Sequence, residues 1–232
     1  MAIKENLAYI EKLKGEAAVR SGRKAEDVLL CAVTKTHTVD EINEAIDCGV
    51  TDIGENKVQE IMDKYEYVKP GVKWHLIGHL QTNKVKYIID KVDMIHSVDS
   101  LHLAKEIDKR AKAHDLTMKI LVQVNSAEEE SKFGVTVDET RQLLMDILEQ
   151  CENIQICGLM CIAPFEEDVD DARPFFAEVK KLYDEYQKIE HPRLDFKYLS
   201  MGMSNDYIVG IDEGANFVRV GTGIFGKRDY SK

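Results

Sequence analysis

The stretch VLLCAVTKTHTVDEINEAIDCGVTDIG, residues 28–54, sets out the pattern that decides the fold. An apolar run typical of a β-strand covers residues 28–33, and a helix-length amphipathic segment follows at 39–48. A second strand-like run comes at 51–54. The stretch therefore predicts a strand–helix–strand unit, which joins two parallel strands of one sheet.

The same unit recurs along the rest of the chain. Thr38 and Ser100 are expected helix N-caps, and Gly49 is an expected C-cap. Further strands are predicted at 73–78, 94–98, 119–125, 154–163, 196–201 and 216–222, and helices at 57–68, 100–114, 137–151 and 169–189. Eight such repeats predict a single (β/α)8 barrel of the TIM type over residues 1–232, with one extra N-terminal helix. An open doubly wound sheet shares the alternation, but no GxGxxG fingerprint follows the first strand.

Composition excludes several broad classes of protein. The chain has 232 residues, of which 44% are hydrophobic and 31% charged, as in ordinary globular domains. A net charge of −11 argues against a nucleic-acid partner, because phosphate backbones need a basic face. The longest apolar stretch, 154–163, is too short to cross a membrane, and the N-terminus lacks the apolar core of a signal peptide. We expect a cytoplasmic protein.

The cysteines and histidines carry no strong metal signal. The five cysteines are odd in number and include no CxxC pair. Cys157 and Cys161, four apart, are expected on one face of a strand, and a zinc site there stays open as the lesser alternative. His75, His96 and His102 show no spacing that demands a metal. We predict reduced core thiols and no metal site.

Lys35 is the first candidate for chemistry, because it ends the first predicted strand in AVTKTH. Functional residues of such barrels lie at the C-terminal ends of the strands. Strand alternation places Cys31, Val33 and Lys35 on one face, so an inward-facing set would raise Lys35 into the barrel mouth. Partial desolvation there would favour a neutral amine that can attack an aldehyde. A solvated lysine at a strand end is the alternative.

Two later segments could bind an anion at the same rim. In LSMGMSNDY, residues 199–207, Ser204 is expected to cap a helix that begins near Asn205 after the seventh strand. In VRVGTGIFG, residues 218–226, Gly221 lets the backbone approach an anion and Thr222 adds a hydroxyl. For the first segment, an ordinary N-cap is the alternative.

Arg219 belongs to the second of these segments. Alternation groups Arg219 with Phe217 and Gly221, opposite Val218 and Val220. If the valines face the helices, Arg219 faces the barrel mouth. A buried guanidinium needs an acceptor or an anion, so a ligand or a structural salt bridge is expected beside it.

Two further segments supply weaker candidates. GENKVQE places Asn56 after the second strand, and HLIGHLQTNK places His79 after the third. Both residues could contact a bound cofactor at the rim. Either segment could equally be a loop that starts a helix.

Seven motifs taken together resemble one known family. AVTKT, IGENKVQE, WHLIGHLQTNK, SKFGV, GLMCIAP, LSMGMSNDY and VRVGTGIFG are similar to segments of the pyridoxal phosphate homeostasis proteins. The resemblance extends over nearly the whole chain. It implies the fold-type III barrel that also forms the N-terminal domain of alanine racemase, and it implies pyridoxal 5′-phosphate (PLP) held as a Schiff base on Lys35.

The resemblance also implies site roles and a function. It implies phosphate binding by Ser204, Gly221 and Thr222, with Arg219 near the pyridine nitrogen. Members of that family are regarded as regulators or carriers of vitamin B6 without an established reaction. A non-catalytic PLP-binding protein is therefore expected, with PLP and apo-PLP enzymes as partners and a monomer or weak homodimer as its state.

Two enzymatic alternatives stay open. A small PLP-dependent racemase or lyase could work with an open site, and a class I aldolase-type barrel could bond its substrate to Lys35 directly. We expect no further β domain after the eighth strand, whereas alanine racemase-like enzymes take a catalytic tyrosine from such a domain. Lys35 could serve one face of a substrate, but no tyrosine or cysteine obviously serves the other.

Overall fold

Eight parallel strands close into a barrel in chain order in the computed structural model, which describes residues 2–127, 133–164 and 167–226. The strands are β1 Leu29–Val33, β2 Asp52–Glu55, β3 Lys73–Leu76, β4 Met94–Val98, β5 Met118–Val124, β6 Ile154–Cys161, β7 Leu194–Met203 and β8 Phe217–Val220. The ring closes where β1 pairs with β8, with Cys31 beside Arg219. The predicted (β/α)8 barrel is confirmed.

Helices surround the barrel and precede it. They are α1 Ile3–Arg20, α2 Val39–Asp47, α3 Val58–Lys64, α4 Leu101–Ala113, α5 Val137–Gln150, α6 Arg173–Tyr186, α7 Tyr207–Asp212 and α8 Thr222–Phe225. Short 3-10 helices cover Ala25–Asp27, Thr82–Tyr87 and Val169–Ala172, and the second of these replaces an α-helix after β3. The extra N-terminal helix, α1, packs Leu7, Ile10 and Ala17 into the core.

Helix ends follow local chemistry that the sequence displays. The Thr38 hydroxyl accepts from the Glu41 amide, and the Glu41 carboxylate accepts from the Thr38 amide in return. The Ser100 hydroxyl accepts from the amide of Leu103. Gly49, with φ of 104°, follows the end of α2 in the left-handed region, where a side chain would be strained. Both predicted N-caps are confirmed, whereas the C-cap of α2 is Cys48 and Gly49 is the residue after it.

One strand breaks the alternation that the sequence predicts. Cys157 packs with Met94 and Met160 in an apolar cluster, whereas Cys161 packs with the larger core. The register of β6 shifts at Gly158, where φ is 145°, so the expectation that both cysteines share a face is wrong.

The cysteines of the barrel are buried thiols. Burial raises the pKa of Cys157 to about 11 and that of Cys161 to about 12, which keeps both protonated at neutral pH. All five cysteines are free. Within the described ranges, no group of three or more potential metal ligands comes together. No helix among the described residues is both long and apolar enough to span a bilayer.

Candidate functional site

A cavity of about 800 Å³ opens at the end of the barrel where the strands terminate. Its wall is built from residues that end or follow β1, β6, β7 and β8. Five residues predicted to bind a cofactor line this one cavity: Lys35, Ser204, Arg219, Gly221 and Thr222. The barrel thus brings an amine, a guanidinium and two hydroxyls from distant parts of the chain to one place.

Lys35 lies two residues after the end of β1 and is half-buried. Val33, two residues earlier, also lines the cavity, as the predicted alternation requires. The next residue, Thr36, has a φ of 68°, a left-handed conformation that is uncommon for a β-branched residue. Its amide donates to the Glu60 carboxylate at 2.6 Å. The strand therefore ends in a sharp turn that a neighbouring helix holds in place.

Four side-chain groups behind this turn form what we call the Lys64 cluster: Thr34, Glu55, Glu60 and Lys64. Lys64 Nζ donates to the Thr34 carbonyl at 2.9 Å and to one oxygen of each carboxylate at 2.8 Å. The Thr34 hydroxyl donates to Glu55 Oε1 at 2.7 Å. Burial raises the pKa of Glu55, and the Lys64 ammonium opposes that shift.

The Lys64 cluster fixes the residues on both sides of Lys35. Thr34 precedes it and bonds to Glu55 and Lys64, while Thr36 follows it and bonds to Glu60. We did not predict this cluster from the sequence. The i,i+4 spacing of Glu60 and Lys64 in one helix was the available signal, but surface pairs show the same spacing.

Ser204 occupies the cavity wall but does not cap a helix. The helix α7 begins at Tyr207, and its N-cap, Asp206, makes no side-chain capping bond. The predicted cap is wrong because the β7 strand runs on to Met203 and the chain then makes a turn before the helix starts. The Ser204 hydroxyl instead accepts from the amide of Gly221 at 3.1 Å. This bond ties the loop after β7 to the loop after β8.

Two glycines permit this close approach. Gly202 has a φ of 90°, and a Cβ there would lie 2.7 Å from the Tyr207 Cα. A Cβ on Gly221 would lie 3.1 Å from the carbonyl oxygen of Val33. A larger residue at Gly202 would therefore displace the start of α7 from β7, and one at Gly221 would crowd the end of β1.

Arg219 is 3% exposed and lines the inner part of the cavity. Its Nη1 donates to the carbonyl and the hydroxyl of Ser200 at 2.8 and 2.5 Å, and its Nη2 donates to the Cys161 carbonyl at 2.8 Å. Burial lowers the pKa of Arg219 from its ordinary value, although a guanidinium stays protonated in proteins. No carboxylate of the described chain forms an ion pair with it, so the structural salt bridge considered above is absent there.

Neither Asn56 nor His79 is among the described residues that line this cavity. The Asn56 backbone packs tightly against Gly78, where an added Cβ would lie 2.3 Å from the Asn56 carbonyl oxygen. His79 stacks on Phe133, with ring centroids 3.8 Å apart. The motif SKFGV, which includes Phe133, begins outside the described residues. Cofactor contacts by Asn56 and His79 stay predictions.

The sequence did not predict the contacts of two histidines inside the barrel. His75 and His96 contact each other and the Phe217 ring edge-on, with ring centroids 4.9 to 5.2 Å apart. His96 also reaches Ser200, a partner of Arg219. Strand alternation could have placed both imidazoles inward, but a histidine among apolar strand residues carries no distinctive spacing.

Comparison with known proteins gives consistent results over nearly the full length. The family model for the alanine racemase N-terminal domain matches residues 4–229. A relative from Aquifex aeolicus, named pyridoxal phosphate homeostasis protein, is 42% identical over 227 residues, which cover 97% of this chain and 98% of the relative. A relative of the same name from Escherichia coli is 37% identical over 238 residues, covering 99% and 98%.

A solved structure shows the same architecture. PipY from Synechococcus elongatus, determined with PLP bound, superposes with a TM-score of 0.82 at 35% sequence identity. The match covers 97% of this chain and 100% of that one.

Proposed function

This chain belongs to the pyridoxal phosphate homeostasis proteins, and on that premise we propose that it binds PLP through Lys35 and serves vitamin B6 homeostasis. We assign the site residues because they converge on one cavity. Lys35, Arg219 and Ser204 line one cavity together with Gly221 and Thr222, although they come from the first and last parts of the chain.

The groups present fit the chemistry of PLP. The cofactor supplies an aldehyde that forms a covalent bond with an amine, and Lys35 is the lysine among the described residues of the cavity wall. Arg219 can only donate, which suits an aromatic ring nitrogen that accepts. Because the Ser204 oxygen already accepts from the Gly221 amide, its own hydrogen remains available for an anionic oxygen such as that of a phosphate.

We propose that Lys35 is the covalent anchor and that the Lys64 cluster holds it there. Hydrogen bonds on both flanking residues limit the movement of the strand end, so the lysine enters the cavity from a fixed point. Ser204, Gly221 and Thr222 would hold the phosphate, and Arg219 would lie at the ring.

We further propose that the protein holds and delivers the cofactor without turning over a substrate. Abstracting a proton from a substrate carbon and returning it on the other face requires two placed acid–base groups. The described part of the cavity wall contains no tyrosine, cysteine or histidine. A cavity that free amines can enter would allow transfer of the cofactor to apo-PLP enzymes. We propose that this delivery takes place in the cytoplasm, from a monomer or weak homodimer.

A binding experiment tests the covalent anchor. Purified protein is incubated with PLP, reduced with borohydride and analysed by intact mass spectrometry and peptide mapping. We expect one added cofactor on Lys35, and we expect Lys35→Ala to lose it. Lys57→Ala removes an exposed lysine after β2 and should keep the adduct. Absence of any adduct on the unaltered protein would refute the proposal.

One observation favours a racemase or lyase as the second candidate. The carboxylates of Glu167 and Asp206 line the same cavity as Lys35 and could move protons there. Incubation of the PLP-loaded protein with single amino acids in deuterated water separates the two functions. Deuterium at Cα with continued turnover would establish an enzyme, whereas unexchanged amino acids would support a carrier.

A further inference from the structure

Five buried side chains inside the barrel form one continuous series of hydrogen bonds, which we call the interior chain: Asp52, His75, His96, Ser200 and Arg219. They come from five different strands, and each is at most 3% exposed. Arg219 is the member that lines the ligand cavity, whereas Asp52 at the other end is not among the described residues of its wall.

The contacts are close throughout. Arg219 Nη1 lies 2.5 Å from Ser200 Oγ, which lies 3.2 Å from His96 Nδ1. His96 Nε2 lies 3.0 Å from His75 Nδ1. His75 Nε2 lies 2.9 Å from Asp52 Oδ1, and the other carboxylate oxygen accepts from Thr51 Oγ1 at 2.7 Å.

With both imidazoles neutral, the two ends determine the direction of every bond between them. Arg219 can only donate, so Ser200 Oγ accepts from it and gives its single hydrogen to His96 Nδ1. His96 then carries its hydrogen on Nε2 and donates to His75 Nδ1. His75 likewise carries its hydrogen on Nε2 and donates to Asp52, which as a carboxylate only accepts.

In this arrangement every donor and acceptor of the interior chain has a hydrogen-bond partner only while both imidazoles are neutral. A proton added to His75 would place a hydrogen on Nδ1, and His96 would have to turn its own hydrogen toward Ser200. Ser200 would then receive two donors, and its hydroxyl hydrogen would have no acceptor within the interior chain. Burial lowers the pKa of His96 well below its ordinary value, and the Arg219 cation lowers it further.

The interior chain also links two opposite charges. Arg219 is a buried cation whose direct partners are two carbonyls and a hydroxyl, all uncharged. Burial raises the pKa of the Asp52 carboxylate, but the net shift is downward. Hydrogen bonds from His75 and Thr51 and the nearby Lys73 ammonium lower the pKa by more than burial raises it. Aligned hydrogen bonds polarise one another in a medium of low dielectric constant, so the intervening groups carry part of this charge compensation.

We propose that Asp52, His75, His96 and Ser200 are positioning residues for Arg219. The interior chain holds the guanidinium in one orientation at the inner end of the cavity and makes it a fixed donor toward the ligand ring. The ligand atom against Arg219 must then be an acceptor. This inference rests on the proposed PLP function for the identity of the ligand, whereas the order of the bonds rests on the protein alone.

The test compares three variants of similar size. Ser200→Ala breaks the link next to Arg219, and Asp52→Asn removes the charge at the far end while keeping the shape. Ser97→Ala is the matched control, because Ser97 is equally buried, lies in the neighbouring position to His96 and has an Oγ with no partner in the described structure. The readouts are the dissociation constant for PLP and the visible absorption maximum of bound PLP.

We expect Ser200→Ala and Asp52→Asn each to weaken PLP binding roughly 10-fold, as a loss near 1.4 kcal/mol requires, and to shift the absorption maximum. Ser97→Ala should do neither. Unchanged values in the two test variants, a change in Ser200→Ala alone, or an equal change in all three would each overturn the proposal.

A ligand-free measurement separates this inference from the proposed function. Nitrogen NMR of the unaltered protein, labelled at histidine, reports which ring nitrogen carries hydrogen at pH 7.5. Hydrogen on Nε2 of both His75 and His96 supports the interior chain even if PLP does not bind. A charged ring, or hydrogen on Nδ1 of His96, would contradict it whatever the result with PLP.

Discussion

The buried His96 imidazole should make the stability of the protein depend on pH in a way that one substitution removes. His96 is fully buried, and its ring lies edge-on to the rings of His75 and Phe217. Its pKa in the folded protein lies well below the ordinary value of 6.5, because burial and the nearby Arg219 cation disfavour the charged form. In the unfolded chain the same histidine takes up a proton near pH 6.5.

The sign and size of the effect follow from proton counting. Below pH 6.5 the unfolded state binds one proton that folded His96 does not, so the free energy of unfolding rises with pH in this range. The contribution of His96 is therefore complete above pH 6.5 and is lost as the pH falls. The slope approaches about 1.4 kcal/mol per pH unit, or about 2 kcal/mol between pH 6.5 and 5.0.

Urea unfolding followed by circular dichroism at half-unit steps from pH 7.5 to 5.0 measures this slope. His96→Gln should be less stable throughout yet should lose most of the slope that His96 contributes. His102→Gln, which alters an exposed histidine on α4, should keep the slope of the unaltered protein. Equal slopes in the unaltered protein and His96→Gln would refute the reasoning.

Three further predictions concern the cluster beside Lys35, the β6 bulge and the cavity arginine. Lys64→Met should cost roughly 3–5 kcal/mol in urea unfolding because it leaves the Glu55 and Glu60 carboxylates without their cation, whereas Lys69→Met, at a half-exposed pair, should cost at most about 1 kcal/mol. Gly158→Ala should prevent recovery of folded protein, since its Cβ would lie 1.8 Å from a backbone oxygen. Gly22→Ala, also at positive φ but with nothing within 4 Å, should stay soluble with a loss of roughly 1 kcal/mol in urea unfolding. Arg219→Lys should weaken PLP binding at least roughly 10-fold by fluorescence titration, because one ammonium cannot reproduce the planar fork, and full affinity in that variant would contradict the assigned role.

The fold could be predicted because it depends on features that repeat. Each βα unit displays its strand as an apolar run and its helix as an amphipathic one, so even a displaced boundary leaves the order of elements intact. Lys35 and Arg219 could be placed at the cavity for the same reason, since strand alternation over a few residues decides which way each side chain points.

The remaining features depend on contacts that no local pattern encodes. Serine is a residue type that commonly caps helices, but the hydroxyl of Ser204 bonds to Gly221 on another loop. Cys157 and Cys161 obey alternation only until a bulge at Gly158 changes the register. The interior chain unites five strands, and apart from Arg219 each member alone is a polar residue without a distinctive spacing.

Because β1 pairs with β8, the proposed PLP site is complete only after the strand β8 has been synthesised. Lys35 leaves the ribosome early, whereas Arg219, Gly221 and Thr222 belong to the last strand and the residues after it. A nascent chain that lacks β8 already displays Lys35, the proposed anchor, but lacks the neighbouring strand that carries Arg219. On the roles proposed above, cofactor capture requires completion of the ring, and truncated translation products should not retain PLP.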